Sequence, residues 1–481
     1  MRISPSRVSL LATAFALTAC NPGAATDTNT AEPQAAAPQG EARWTGEMAK
    51  QLRDAIGARA AHGLDRLPFD TGGDGVDAAA LNKAALAYAR ALARGATDPR
   101  ELHEIYTVPR PDPKLEQGLR GALAAGDVRG WLEGLVPQDA SYKKLSQTYL
   151  ALRREPDGAA PVVPPPPEPI KPGATDPRVP LIARQLVASD YLPADQAGGD
   201  RYTPAMAAAV KRLQAAYGIK PDGVIGADAL GILNLDDADR ARAIAVAMER
   251  LRWLEREPPR TRIDVNIAAA RLSYWKDGQI ADTRKAVVGE PENETPQLGS
   301  PMFRLVANPN WTVPKSIAAE EIAPKGPGYL RANNMSWKDG FIVQEPGPKN
   351  SLGLVKFDMR NDHAIYLHDT PAKALFNEVQ RQRSHGCVRV EDALGFAEML
   401  ARDMGVTDQW RQARATGEET YVPLPREIPV RLLYHTVLFD EAGEPIVRND
   451  PYGWNEPVAA ALGFQGRTGV RVRPEGVDVG P

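Results

Sequence analysis

Ser384-His385-Gly386-Cys387-Val388-Arg389-Val390, read with Tyr366-Leu367-His368-Asp369-Thr370 just upstream, is the stretch around which this chain is organised. Cys387 is one of two cysteines, and two of the six histidines fall here. A thiolate is a strong nucleophile, and a neighbouring imidazole is the usual means of making one at neutral pH. His368 ends the run Ala364-Ile365-Tyr366-Leu367, which reads as a strand and so as a rigid mount for a base. His385 lies two residues before Cys387, and Gly386 lets the chain turn sharply at the nucleophile. Such a turn would aim the N–H groups of Gly386 and Cys387 at a developing oxyanion, with Ser384 and Arg389 as further polar groups. Residue types alone leave three readings open. One is a Cys/His acyl-transfer site, and another is a zinc site using His368, His385 and Cys387. The third is a buried, inert cysteine beside satisfied histidines. The His-x-Cys spacing is not a recognised zinc pattern.

Working outward, short apolar runs with Gly and Pro turns read as strands. They are Ile263 to Ile267, Arg271 to Trp275, Lys285 to Val288, Met302 to Val306, Phe341 to Val343, His363 to Leu367 and Val430 to Phe439. Lys276-Asp277-Gly278-Gln279 is a hairpin turn. Glu391 to Met404 has helical spacing. The series predicts a mostly-β catalytic domain over 236–473, a β-sandwich or a relative of one. Residues 311–334 are helix-prone but interrupted by Pro314, Pro324 and Pro327, and read as a helical insertion, a candidate lid. A polar tail follows at 474–481.

Before this domain, residues 178–235 predict a compact three-helix unit, with Thr203 as N-cap and Pro204 at the first helical position. Residues 155–177 contain Pro164-Pro165-Pro166-Pro167 and predict an extended, semi-rigid linker. Residues 41–154 show helical periodicity, as in Leu81, Ala85, Tyr88 and Leu92, and predict a helical scaffold. His62 and His103 read as lone surface residues in it. The fold class is thus multidomain α+β.

The N-terminus has Arg2 and Arg7 before a short apolar run, Val8 to Leu17, too brief to span a bilayer. Leu17-Thr18-Ala19-Cys20 resembles the bacterial lipoprotein cleavage box. That implies a signal peptide over 1–20, lipid on Cys20, and an Ala/Thr/Pro/Gln-rich disordered tether over 21–40. Cys387 would then have no intramolecular partner in an oxidising compartment. The expected place is the cell envelope, periplasmic and held to a membrane by the lipid. A formal charge of -3 gives nucleic-acid binding no electrostatic footing.

His368-Asp369-Thr370 followed by Ser384-His385-Gly386-Cys387 resembles the YkuD-type L,D-transpeptidase signature. The likeness extends to Val287-Val288-Gly289, Thr295-Pro296, Asn308-Pro309-Asn310-Trp311-Thr312-Val313-Pro314 and Tyr366 to Pro371. Leu213-Gln214, Tyr217-Gly218-Ile219 and Asp222-Gly223-Val224-Ile225-Gly226 resemble the peptidoglycan-binding domain 1 family. Together they are similar to the large YcbB-like branch, whose commoner forms are membrane-anchored or plainly secreted. The resemblance implies a cysteine acyltransferase acting on peptidoglycan stem peptides and glycan, with no cofactor and no metal. Cys387 would attack a stem tetrapeptide, release D-Ala and pass the acyl group to a neighbouring stem amine, giving a 3→3 cross-link. His368 would be the base, its tautomer fixed by the Asp369 carbonyl, while His385, Gly386 and Cys387 frame the oxyanion. Ser384, Arg389, Asp369 and Tyr366 are the expected substrate-side residues. Water or a protein lysine as acceptor, and a non-catalytic wall-tethering lipoprotein, are the alternatives.

Overall fold

The computed structural model describes residues 43–153, 162–165 and 168–466. Cys20, the segment 21–40 and the tail 474–481 lie outside the described residues.

The first part is helical, as its periodicity requires. Gly46–Gly57, Ala78–Arg94, Leu115–Ala125, Val128–Leu135 and Ala140–Leu152 are its main helices. Ala78–Arg94 starts on an Asp77 cap and buries Leu81, Ala85, Tyr88 and Leu92. The long helix Asp237–Trp253, read in sequence as the opening of the catalytic domain, is instead buried in this helical core. Its alternating Ala241, Ala243, Ala245 and Ala247 allow close approach from several sides, and an Asp236–Asp239 capping box fixes its start. Glu249 and Arg252 on it form a fully buried ion pair at 2.6 Å. Glu249 also accepts from the Thr97 amide and hydroxyl, and Arg252 donates to the His62 carbonyl and the Tyr142 hydroxyl. Gly95 is obligatory beside them: its φ is +89°, and a Cβ there would lie 2.6 Å from Glu249 Oε1.

Neither early histidine is a surface residue. His103 is 7% exposed and packs among Tyr106, Trp253 and Trp454. His62 stacks on Tyr142.

Helices Val179–Ala188, Pro204–Tyr217 and Ala227–Leu233 form the small unit, with Thr203 capping the second as its sequence indicates. The linker is less of a spacer than its prolines suggest. Val163 is buried and exchanges hydrogen bonds with Asn234, and Ile170 bridges to Ile225. Apolar burial and two backbone–amide bonds outweigh the local preference for a solvated extended chain.

Among the described residues fourteen strands follow: β1 (Arg262–Asn266), β2 (Arg271–Lys276), β3 (Gln279–Gly289), β4 (Gly299–Ala307), β5 (Trp311–Thr312), β6 (Met335–Lys338), β7 (Phe341–Gln344), β8 (Val355–Met359), β9 (Leu367–His368), β10 (Gln382–Ser384), β11 (Val388–Val390), β12 (Thr420–Leu433), β13 (Val437–Phe439) and β14 (Pro445–Val447). Nine make one sheet in the order β10-β3-β11-β9-β8-β4-β12-β1-β2, and β2 pairs again with β3, so the sheet closes on itself. The helix Ala393–Asp403 buries Phe396, Ala397 and Leu400 in the same core. The first ten residues of β12 are absent from the sequence reading because Pro423, Pro425 and Pro429 argue against a strand. The sheet accommodates them through a register break between Pro423 and Ile428.

The insertion is larger than 311–334. Phe341 to Val343, read as part of the main sheet, pairs with β5 and β6 in a separate sheet. Asp339 and Gly340, both at positive φ, close that hairpin. The insertion has its own core, Trp311, Val313, Ile317, Ile322, Leu330, Met335, Ile342 and Leu352. Past Leu433 the expected single strand to Phe439 is broken. The β13–β14 hairpin and the helix Asn455–Ala461 run back to the helical part. There Arg250 donates to the Trp454 carbonyl at 2.9 Å and lies over the Tyr434 ring.

Burial holds the imidazoles of His62 and His435 down at about 4 and that of His103 at about 3. The unfolded chain therefore binds more protons than the folded one below the ordinary value near 6.5. Their stabilisation is complete above that pH and is lost as pH falls toward 3–4. Thermal unfolding should show a plateau above pH 6.5 and a falling melting temperature below it. In His103→Gln the acid slope between pH 6 and 4 should be shallower by up to about 1.4 kcal/mol per pH unit.

Candidate active site

The site is assembled by a parallel pairing. β9 and β11 lie side by side with Leu367 opposite Val388 and His368 opposite Arg389. This register sets Tyr366 beside Cys387, where it favours the thiolate. The thiol donates to the Ala364 carbonyl at 3.7 Å. Cys387 is 6% exposed, and burial pushes its thiol up to about 11 against the pull of Tyr366, Lys356 and Arg389. At neutral pH Cys387 is therefore an uncharged thiol.

The strand leading to His368 is shorter than its apolar residues suggest. Asn361 accepts from the amides of His363 and Ile365 and donates to the Ile365 carbonyl, and Ala364 sits at φ +55°. This side-chain-capped turn competes with sheet pairing and leaves only Leu367 and His368 as strand. His368 is fully buried, and its Nδ1 donates to the Asp369 carbonyl at 2.5 Å. That bond makes Nε2 the basic nitrogen.

Two of the expected substrate-side residues have internal duties. The Asp369 carboxylate accepts from the Leu354 amide at 2.9 Å and from Lys373 Nζ. Gly353, at φ +62°, packs so tightly on it that a Cβ would lie 2.3 Å from Asp369 Oδ2. Ser384 is fully buried, donating to the Cys387 carbonyl at 2.6 Å and accepting from the Gly386 amide at 3.3 Å. It clamps the turn. The Gly386 amide, expected to face an oxyanion, is engaged by that clamp. The Cys387 amide donates to no protein acceptor among the described residues. Arg389 is 1% exposed on β11, and Glu391 two residues on holds Lys285.

Gly386 adopts φ +109°, as a sharp turn requires. Its carbonyl accepts from Thr295 Oγ1 at 2.7 Å, and Thr295 Oγ1 accepts from the Gly289 amide at 2.8 Å. The Tyr452 hydroxyl donates to the Gly289 carbonyl at 2.5 Å and accepts from the Thr295 amide at 3.2 Å. Tyr452 escapes the sequence reading because nothing local marks it. It stands past the last strand, in Pro451-Tyr452-Gly453-Trp454, and reaches the site only through the return of the chain.

His385 turns its Nε2 to Glu321 of the insertion, 2.6 Å away. Glu321 lies in a short π-helical turn, Ala318–Ile322, a geometry frequent at functional positions. Around this contact lies a chamber of about 580 Å³ lined by Glu290, Asn293, Ile317, Glu320, Lys325 and His385. Tyr366 packs on the insertion's core from the other side. His368, His385 and Cys387 are not grouped as a zinc set. Among the described residues no three His, Cys, Asp or Glu side chains are grouped to hold a metal.

Residues 260–417 match the family model described as "L,D-transpeptidase catalytic domain" (YkuD). This part of the chain is similar to YkuD-type L,D-transpeptidase catalytic domains. Residues 175–233 match a "Putative peptidoglycan binding domain" and residues 36–148 a "Scaffold domain". The chain is similar to a "Putative L,D-transpeptidase" of Haemophilus influenzae, 30% identical over 223 residues, which are 41% of this chain and 45% of the relative. The chain thus spans less than half the length of that relative. Among solved structures it is similar to the L,D-transpeptidase of Xylanimonas cellulosilytica (19% identity, 56% of this chain and 99% of that one, TM-score 0.20). It is also similar to the L,D-transpeptidase of Stackebrandtia nassauensis (13% identity, 57% and 97%, TM-score 0.23).

Two measurements test this geometry. Alkylation of Cys387 by iodoacetamide should accelerate about tenfold per pH unit from pH 7 and level off only near 11; a plateau near 8.5 would contradict a buried neutral thiol. Thr295→Val leaves the Gly386 carbonyl and the Gly289 amide without their partner, and should cost about 1–3 kcal/mol in urea unfolding together with faster alkylation as the turn loosens.

Proposed function

We propose that this protein is an L,D-transpeptidase that forms 3→3 cross-links in peptidoglycan with Cys387 as its nucleophile. Support comes from the Cys387 thiol, held neutral on a clamped turn that leads into β11, the parallel partner of the strand that carries the Asp369-oriented His368. The Cys387 proton passes to His368 Nε2 as sulfur attacks the carbonyl carbon of the stem's third residue. The oxyanion forms toward the Cys387 amide. Collapse breaks the bond to the terminal D-Ala, whose amine leaves with the proton from His368, and a thioester remains. An amine of a neighbouring stem then gives a proton to His368 and attacks the thioester. The new amide forms as sulfur leaves, and the thiol is restored.

The three-helix unit supplies affinity for the polymer in this reading. The insertion acts as a lid, with the Glu321–His385 contact joining it to the nucleophile's turn. Lipid on Cys20 would hold the enzyme at a membrane of the envelope.

Incubation with disaccharide-tetrapeptide should yield a cross-linked dimer and free D-Ala by mass spectrometry. Cys387→Ala should abolish both products, and His368→Ala should lower kcat by about 10²–10⁴-fold. D-Ala release without a dimer would identify water as the acceptor, and activity surviving Cys387→Ala would sink the mechanism. In cells, Cys20→Ala should move the protein from the membrane fraction to the soluble one.

A further inference from the structure

A cleft of about 690 Å³ runs between the three-helix unit and the catalytic part. One wall is the loop from Ile219 to Gly226 with the first turn of the helix Ala227–Leu233. The other is Asn377 to Gln380 with Arg383, on the chain that enters β10 and continues through Ser384 into the nucleophile's turn. We propose that this cleft is a composite glycan site, built by both parts, which holds the amino-sugar chain whose stem peptide reaches Cys387. The proposal rests on the transpeptidase reading and adds to it where the polymer lies.

Reach comes first. Arg383 is four residues before Cys387, so their Cα atoms are at most about 14 Å apart. The attacked carbonyl belongs to the third residue of a stem, and three extended residues span about 10–11 Å. A stem reaching the thiol must therefore hang from a sugar chain at about the distance of this cleft.

Lining chemistry comes second. Val379, 38% exposed, and Pro221 offer apolar faces to solvent. The lining also holds polar groups, Lys220, Asp228 and Gln380. The half-buried Asp228 carboxylate has no hydrogen-bond partner among the described residues, so it is available to sugar hydroxyl or acetamido donors. Lys220 and Arg383 line the cleft together with Asp222, Asp228 and Glu378. Two cations against three carboxylates disfavour the free carboxylates of a stem and suit an uncharged sugar.

Rigidity comes third. Arg383 pairs with Glu378 at 2.7 Å, stiffening one wall. On the other, Asp222 accepts from the Val224 amide and Gln214 Nε2, and Gln214 accepts from the Gly223 amide. A preformed cleft loses little entropy when a chain binds.

The test uses fluorescently labelled glycan strands freed of peptide by an amidase, with full-length protein. Asp228→Arg and Val379→Arg, one on each wall, should each weaken binding at least about tenfold, or 1.4 kcal/mol. Each should also lower kcat/KM on intact strands at least about fivefold relative to kcat/KM on disaccharide-tetrapeptide. Lys220→Glu, on an exposed side chain, replaces Asp228→Arg if that variant melts early. Parent-like binding by both wall variants would overturn the proposal, as would displacement of the strands by free tetrapeptide. A parent that binds stripped strands but does not process tetrapeptide would refute the transpeptidase reading and leave the cleft standing.

Discussion

The hydrogen bond from Thr295 to the Gly386 carbonyl holds the Cys387 turn in a backbone conformation that only glycine adopts easily. It is one link in a longer series. Thr295 is fixed by Gly289 and Tyr452, Tyr452 stacks on Tyr434 and meets Trp454 edge-on, and Arg250 of the helical core holds both of those aromatic residues. Gly289 cannot be replaced without collision, since a Cβ there would lie 2.1 Å from the Asn293 carbonyl oxygen. A site of this kind needs its reactive atom placed to within a fraction of an ångström, and buried, mutually saturated hydrogen bonds do this better than apolar contacts, which tolerate sliding.

The helix Asp237–Trp253 faces two ways. Glu249 and Arg252 tie it to the scaffold, and Arg250 ties it to the returning C-terminal segment. Burying such charges costs about as much as their attraction returns, so they are weak arguments for stability. Their geometry is nonetheless restrictive, because any displacement of the helix would leave a charge without its partner. Specific relative placement of scaffold, helix and catalytic sheet is the better-supported consequence.

Sequence reading was strongest where one local pattern decided the outcome. The Asp277-Gly278 turn, the Thr203 cap and the alternation of Ile263 and Val265 are visible because each rests on a handful of adjacent residues. The mostly-β catalytic part and the peptidoglycan-binding-type helical unit were legible for the same reason. Elements decided by distant partners were not. β12 carries prolines that speak against a strand, His103 is buried by aromatic residues from three separate segments, and Phe341 to Val343 changed sheets because its partners lie in the insertion. At the site, His368 and Cys387 stood out by chemistry. The inward duties of Ser384 and Asp369 could not be seen, since a buried and an exposed polar side chain look alike in a sequence.

The pairing of β12 has a consequence for modularity. This strand hydrogen-bonds antiparallel to β4 on one edge and parallel to β1 on the other. It thereby welds the start of the catalytic sheet to its end. A fragment cut just after the helix Thr407–Ala415 would keep every residue of the histidine–cysteine signature yet lose this strand. Its closed sheet would open, exposing two unpaired edges of the kind that drive edge-to-edge aggregation. The catalytic part is thus not a cassette that recombination could transplant by its signature alone. It travels only with the strand that seals it and the tyrosine that follows.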